Sequence, residues 1–116
     1  MKIVESTSTR TVGMIQSADD PRDFLEWQSG SGGSVEITEI AVGSERGRGR
    51  GRALVAALLD GQDPSRLIYA ITRETNTVAQ EFYRALGFKT CGILRGFYDD
   101  GDAVMFSIRG RERTKV

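Results

Sequence analysis

A mixed α/β fold on a single sheet is what this sequence predicts, on three observations. Short runs of alternating apolar residues recur along the chain, as half-buried strands do. Two longer stretches, beginning near Gly51 and Asn76, change from that period of two to a helical one. The later segments then run strand, helix, strand, helix, hairpin, an order that suits helices laid on one sheet. The length of 116 residues fits one domain spanning 1–116. A chain of this size can bury about two-thirds of its unfolded surface, so it needs no staples.

Residues 1–17 read as two strands, Lys2 to Glu5 and Arg10 to Gln16, with Ser6 to Thr9 turning between them. Asp19-Asp20-Pro21 looks like a helix start, and that helix would reach only to about Trp27, before a Gly/Ser-rich loop at 29–34. Val35 to Val42 is the next strand. Its apolar phase, set by Val35 and Ile37, slips at Thr38 and Glu39 and resumes at Ile40 and Val42. One extra residue in a strand is what a β-bulge supplies, and a bulge leaves nearby backbone groups unpaired. Ala53 to Leu59 is apolar almost all round and reads as a buried helix stopped by Asp60-Gly61. A strand follows at Leu67 to Thr72. The second helix is capped near Thr75 or Asn76 and ends at Gly87, with Val78, Phe82 and Leu86 as its core stripe. Phe88 to Leu94 and Ala103 to Ile108 close the chain as a hairpin turning at residues 99–102.

Composition removes several function classes. Sixteen basic and sixteen acidic residues cancel, so overall charge demands neither nucleic acid nor an anionic membrane. The sequence has no histidine, which excludes Ser-His and Cys-His catalysis and any histidine-bearing zinc site; no metal is expected. Cys91 is the single cysteine, expected to pack rather than react, and its lack of a partner points to a reducing, cytoplasmic setting. No apolar run approaches the roughly 18 residues of a membrane span.

The segment from Glu45 to Arg52 carries the chemistry. It joins a strand directly to a buried helix and alternates arginine with glycine: Arg46, Gly47, Arg48, Gly49, Arg50, Gly51, Arg52. Glycines let successive amides turn inward around an anion, and a helix N-terminus adds its own free N–H groups and positive dipole end. Such a loop suits a diphosphate. Arg-Gly runs also occur in disordered RNA-binding tails, but this one is short, has no interleaved aromatics and is pinned between two elements. It lacks the Gly-Lys-Ser/Thr ending of a P-loop, and Leu67 to Thr72 offers no acid for a dinucleotide fingerprint.

With those residues in place, the chain resembles the GNAT N-acyltransferase superfamily. Arg46-x-x-Gly49-x-Gly51 is similar to its acetyl-CoA signature. Asn76-x-x-Ala79 followed by Tyr83-x-x-x-Gly87-Phe88 resembles its second hallmark, and 95–105 resembles its closing hairpin. The resemblance implies a GNAT-like fold with 35–108 as the CoA-binding and catalytic core, and acetyl-CoA as cosubstrate. It implies that the backbone of Ile40, Ala41 and Val42 meets the acyl carbonyl and pantetheine arm, that the amides of 46–52 hold the pyrophosphate, and that Asn76 lies beside pantetheine. Tyr83 would be the general acid on the departing thiolate. Asn76 and Tyr83 are seven residues apart, nearly two turns, so they share a helix face that lies off the expected core stripe. A phenol near pKa 10 gives its proton to a thiolate near 8.5 uphill by roughly 2 kcal/mol.

Acyl transfer in this family is a direct attack in a ternary complex. The glutamate that some members carry five positions before the asparagine is Ile71 here, which leaves Glu39 as the candidate base and Glu36 as a weaker one. Tyr98 is a candidate substrate contact. The N-terminal part, 1–34, is abbreviated: relatives carry two helices where only 21–27 could form one. That shortening predicts an acceptor site either open to an extended or macromolecular amine or completed by a second subunit in a homodimer; the acceptor itself is expected to be a small-molecule or peptide amine. Two other functions remain open, a catalytically inactive CoA-binding module and an Arg/Gly-mediated nucleic-acid binder.

Overall fold

The computed structural model describes residues 3–8, 11–30, 32–43 and 49–112. The element order is β1 (Ile3–Ser8), β2 (Val12–Ser17), β3 (Phe24–Ser29), β4 (Val35–Ala41), α1 (Arg50–Asp60), β5 (Leu67–Arg73), α2 (Thr77–Ala85), β6 (Lys89–Tyr98) and β7 (Gly101–Arg109). A short 3-10 turn, Gly110–Glu112, follows. The strands form one seven-stranded sheet in the order β1-β2-β3-β4-β5-β7-β6. All neighbours pair antiparallel except β4 and β5, which are joined through α1 and run parallel. The mixed α/β sheet expected from the sequence is therefore present.

One prediction fails at the N-terminal end. The helix expected over 21–27 is instead the strand β3. Its apolar residues, Leu25 and Trp27, alternate with Glu26 and Gln28, and Leu25 and Trp27 face the core while Glu26 does not. Pro21 precedes this strand in a turn that Ser17 and Asp20 organise through their side chains. The turn expected over 6–9 also moves, since β1 runs on to Ser8. Lys2, Thr9, Arg10 and Ser31 lie outside the described residues.

Register shows how the core is organised. Trp27 opposes Ile37, Ile37 pairs with Ala70, and Ala70 opposes Phe106, so these four share one sheet face. Both helices pack there: Leu54, Val55, Leu58 and Leu59 of α1 and Tyr83 of α2 join one buried cluster with those strand residues. The opposite face carries Glu26 opposed to Glu39, Glu36 opposed to Gln28, and Tyr69 beyond them. Among the described residues no helix covers it, and Val12 on its rim is 45% exposed.

The bulge predicted at Thr38 and Glu39 is in β4. Glu39 opposes Glu26 while Ile37 opposes Trp27, so Thr38 is the extra residue. Because side chains alternate, that one insertion moves Ile40 to the helix face and Glu39 to the other. β4 pairs with β5 only through Val35, Glu36 and Ile37. Beyond the bulge its β5-facing edge has no strand partner, and the two strands part at their C-terminal ends.

Candidate active site

A cavity of 670 Å³ opens where β4 and β5 separate, on the helix face of the sheet. Its walls are Ile40, Ala41 and Val42 of the β4 end, Gly49 to Arg52 at the start of α1, and Asn76, Ala79 and Tyr83 of α2. Apart from Ala79, these are the described members of the donor-binding set expected from the sequence. Arg46, Gly47 and Arg48 lie outside the described residues.

The first wall is a helix N-terminus whose chemistry suits an anion. Gly49 caps α1 with φ 72°, a left-handed conformation that a side chain would strain, and no side chain caps the turn. Ala53 N–H bonds Gly49 O, so the amides of Arg50, Gly51 and Arg52 precede the first intrahelical bond and have no helical acceptor. The first turn holds no acid and two arginines, the reverse of the pattern that stabilises a helix start. Gly51 is also a close-approach residue, because an added Cβ would lie 3.0 Å from Phe82 Cε1 of α2.

The second wall is α2. Asn76 Oδ1 accepts the Ala79 N–H at 3.1 Å, so the Asn-x-x-Ala letters are a helix cap. At the other end Phe88 N–H bonds Tyr83 O and Gly87 N–H bonds Arg84 O, with Gly87 at φ 94°. That is a Schellman stop, and its hydrophobic contact is Tyr83 on Phe88, ring centroids 5.2 Å apart. The Tyr-x-x-x-Gly-Phe letters thus encode where α2 ends and what it packs on.

The stripe expected to be core on this helix is so only in part, since Phe82 and Leu86 pack half-buried against the core cluster and Val78 does not. Val78 is 77% exposed, and Val78, Phe82 and Leu86 line the cavity. The inward face is Gln80 and Tyr83. Gln80 Nε2 donates to the carbonyls of Arg73 and Glu74 at 3.1 and 2.9 Å, which turns the helix. Tyr83, expected off the core, is 5% exposed, with its ring against Phe82, Phe88 and Phe106. It still reaches the cavity wall, as does Asn76, so the shared face inferred from their spacing holds. Burial pushes the phenol up to about 12.

The remaining candidates lie elsewhere. Glu39 is exposed on the far face of the sheet, and Glu36 sits beside Tyr69, whose own pKa burial and that carboxylate raise. Neither lines the cavity, and none of its lining residues is acidic. Tyr98 lies at the hairpin end with the Arg73 guanidinium 4.0 Å over its ring. Cys91, expected to pack, is exposed on β6. Sequence reading missed Asp23, which is fully buried and bonds both Gly43 N–H and the Arg50 guanidinium. The expected helix start at Asp19-Asp20-Pro21 drew attention away from this acid, whose carboxylate reaches the first turn of α1.

A family model for the GNAT acetyltransferases matches residues 3–88. The chain belongs to the GNAT family of acetyltransferases. A GCN5-like protein acetyltransferase of Mycobacterium tuberculosis is 40% identical over 80 residues, 66% of this chain. The chain spans 37% of that curated relative's length. Among solved structures, a GNAT acetyltransferase from Elizabethkingia anophelis with acetyl-CoA bound superposes with TM-score 0.78 at 13% identity, covering 93% of this chain and 97% of that one. The ribosomal-protein-S18-alanine N-acetyltransferase of Escherichia coli gives 0.69 at 25% identity, covering 89% and 71%. No helix among the described residues is long and apolar enough to cross a membrane.

Proposed function

We propose that the protein is an acetyl-CoA-dependent N-acetyltransferase that carries the acetyl group to a primary amine by direct attack. The single observation behind this reading is the cavity, which gathers the N-terminal amides of α1, the edge of β4 beyond its pairing with β5 and the Tyr83 side chain around one space. The amides of 50–52, with the preceding loop from Arg46, hold the donor's diphosphate. The pantetheine arm runs along Ile40 to Val42 as an added strand would, taking the backbone bonds that β5 leaves unmade. Val78, Phe82 and Leu86 give that arm an apolar wall.

Tyr83 supports departure of the thiolate. With its pKa near 12, it is protonated at every working pH. Full transfer to a thiolate of pKa about 8.5 is uphill by roughly 5 kcal/mol, so the hydroxyl serves by donating a hydrogen bond as charge builds on sulfur. The amine enters from the opposite face through the gap between β4 and β5, past Glu39, which takes its proton directly or through a water. On this reading Glu39→Gln lowers kcat/KM for the amine by about 10- to 100-fold and leaves the KM for acetyl-CoA unchanged. The uncovered sheet face supports a homodimer, which sedimentation at micromolar concentration tests.

The deciding experiment is a panel of primary amines with acetyl-CoA, read by release of free thiol. Turnover with at least one amine is the expected result. Tight CoA binding with no turnover on any amine would move the assignment to a CoA-binding module.

A further inference from the structure

We propose that Asp23 is a positioning residue for the donor's diphosphate, clamping the end of β4 to the first turn of α1. The inference rests on the reading that α1's N-terminus holds acetyl-CoA. Asp23 is 0% exposed. Its Oδ1 accepts the Gly43 N–H at 2.6 Å, and its Oδ2 accepts the Arg50 Nε–H. One carboxylate therefore joins the second residue past β4 to the first residue of α1.

The carboxylate is itself held firmly. Asp23 N–H bonds Asp20 O and Ser17 N–H bonds Asp23 O, both at 3.0 Å. Within the same turn Ser17 Oγ accepts from Asp19 and Asp20 N–H, and Asp20 Oδ1 accepts from Arg22 N–H. All of these bonds are formed by the protein alone. An added Cβ on Gly43 would lie 3.0 Å from Asp20 Oδ2 and 3.1 Å from Arg22, so the turn lies close against the chain just past β4.

Charge makes the clamp necessary. Arg50 sits where the helix dipole repels a cation, beside a second arginine and with no acid in the turn. Its side chain is 15% exposed, so it is largely withdrawn from water as well. A fully buried carboxylate is costly to leave without its cation, so Arg50 in turn holds Asp23 in place. Asp23 lines no part of the cavity. It acts through the cradle, setting the distance between the amides of 50–52 and the edge of β4, and so pre-organises both ends of one donor.

Calorimetric titration with CoA, and with pantetheine, which lacks the diphosphate, tests this in Asp23→Asn. The asparagine keeps the shape and an acceptor for Gly43 but loses the charge that holds Arg50. The Kd for CoA is expected to rise about tenfold, the effect of one lost charge-assisted bond, while that for pantetheine changes by less than about twofold. A fall in melting temperature with both Kd values unchanged, or an equal rise in both, overturns the proposal. Arg50→Met removes the same bond from the other side and is expected to give the same selective loss, which keeps the test decisive if Asp23→Asn does not fold. Wild-type protein binding pantetheine as tightly as CoA would instead sink the diphosphate reading itself.

Discussion

On the proposed mechanism Tyr83 has two jobs that pull its chemistry in opposite directions. Its ring completes the aromatic group with Phe82, Phe88 and Phe106, and that burial is what raises the phenol to about 12. A weaker acid is a poorer proton source but a dependable hydrogen-bond donor. Tyr83→Phe keeps the packing and removes the bond, so kcat is expected to fall about 10- to 100-fold with the melting temperature nearly unchanged. A kcat within twofold would leave the tyrosine a packing residue. The same pKa makes a prediction in base. An unfolded tyrosine loses its proton near pH 10 and the folded one near 12, so between these values the unfolded state binds fewer protons. The stabilisation is complete below pH 10 and declines by up to about 1.4 kcal/mol per pH unit as pH rises to 12. Tyr69, also raised, adds a slope of the same sign. Urea unfolding of Tyr83→Phe at pH 9 and 11 should show a shallower decline than wild type. Equal declines would place the phenol in water.

At the scale of elements, α2 decides whether a cavity exists, and Gln80 decides how α2 sits. Its amide satisfies two carbonyls at the end of β5, both of which would be left without that partner in Gln80→Leu. The variant is expected to lose about 2 to 4 kcal/mol in urea unfolding, and a loss under about 0.5 kcal/mol would show that water replaces the amide freely. Gln80 also explains why the helix was misread from its letters. A stripe of Val78, Phe82 and Leu86 looks like core because periodicity reports an apolar face without saying whether protein or a donor covers it. The caps were legible, since Asn76 and Gly87 act through local backbone bonds that sequence spacing describes well. So was the bulge at Thr38, because a phase slip in a strand has a direct geometric meaning. What the slip would do to Glu39 was less plain, as only the register with Glu26 shows which face it takes. β3 was lost to Pro21, a residue that starts helices and also ends turns. Asp23 could have been found only by asking which acid lies within reach of the arginines across 27 positions of sequence.

The whole molecule links donor binding to stability, because the cavity walls and the core are the same elements. α1 puts Leu54, Val55, Leu58 and Leu59 into the cluster and its first turn into the cavity; α2 does likewise with Tyr83, and β4 with Ile37 and Ile40. No wall can open without loosening part of that cluster, so a donor that touches all three elements binds the native state alone. Mass action then sets the stabilisation at about 2.7 kcal/mol for CoA at a hundredfold excess over its Kd, or roughly 10 °C in melting temperature for a chain of this size. The denaturant slope should stay the same, since the surface exposed on unfolding is set by the fold. Pantetheine at the same multiple of its own Kd should give the same shift, whereas at equal concentration it should give much less, because the diphosphate contacts are missing. A melting curve that CoA leaves in place at millimolar concentration would mean that the α1 amides and the β4 edge, though they face one space, do not act on one molecule.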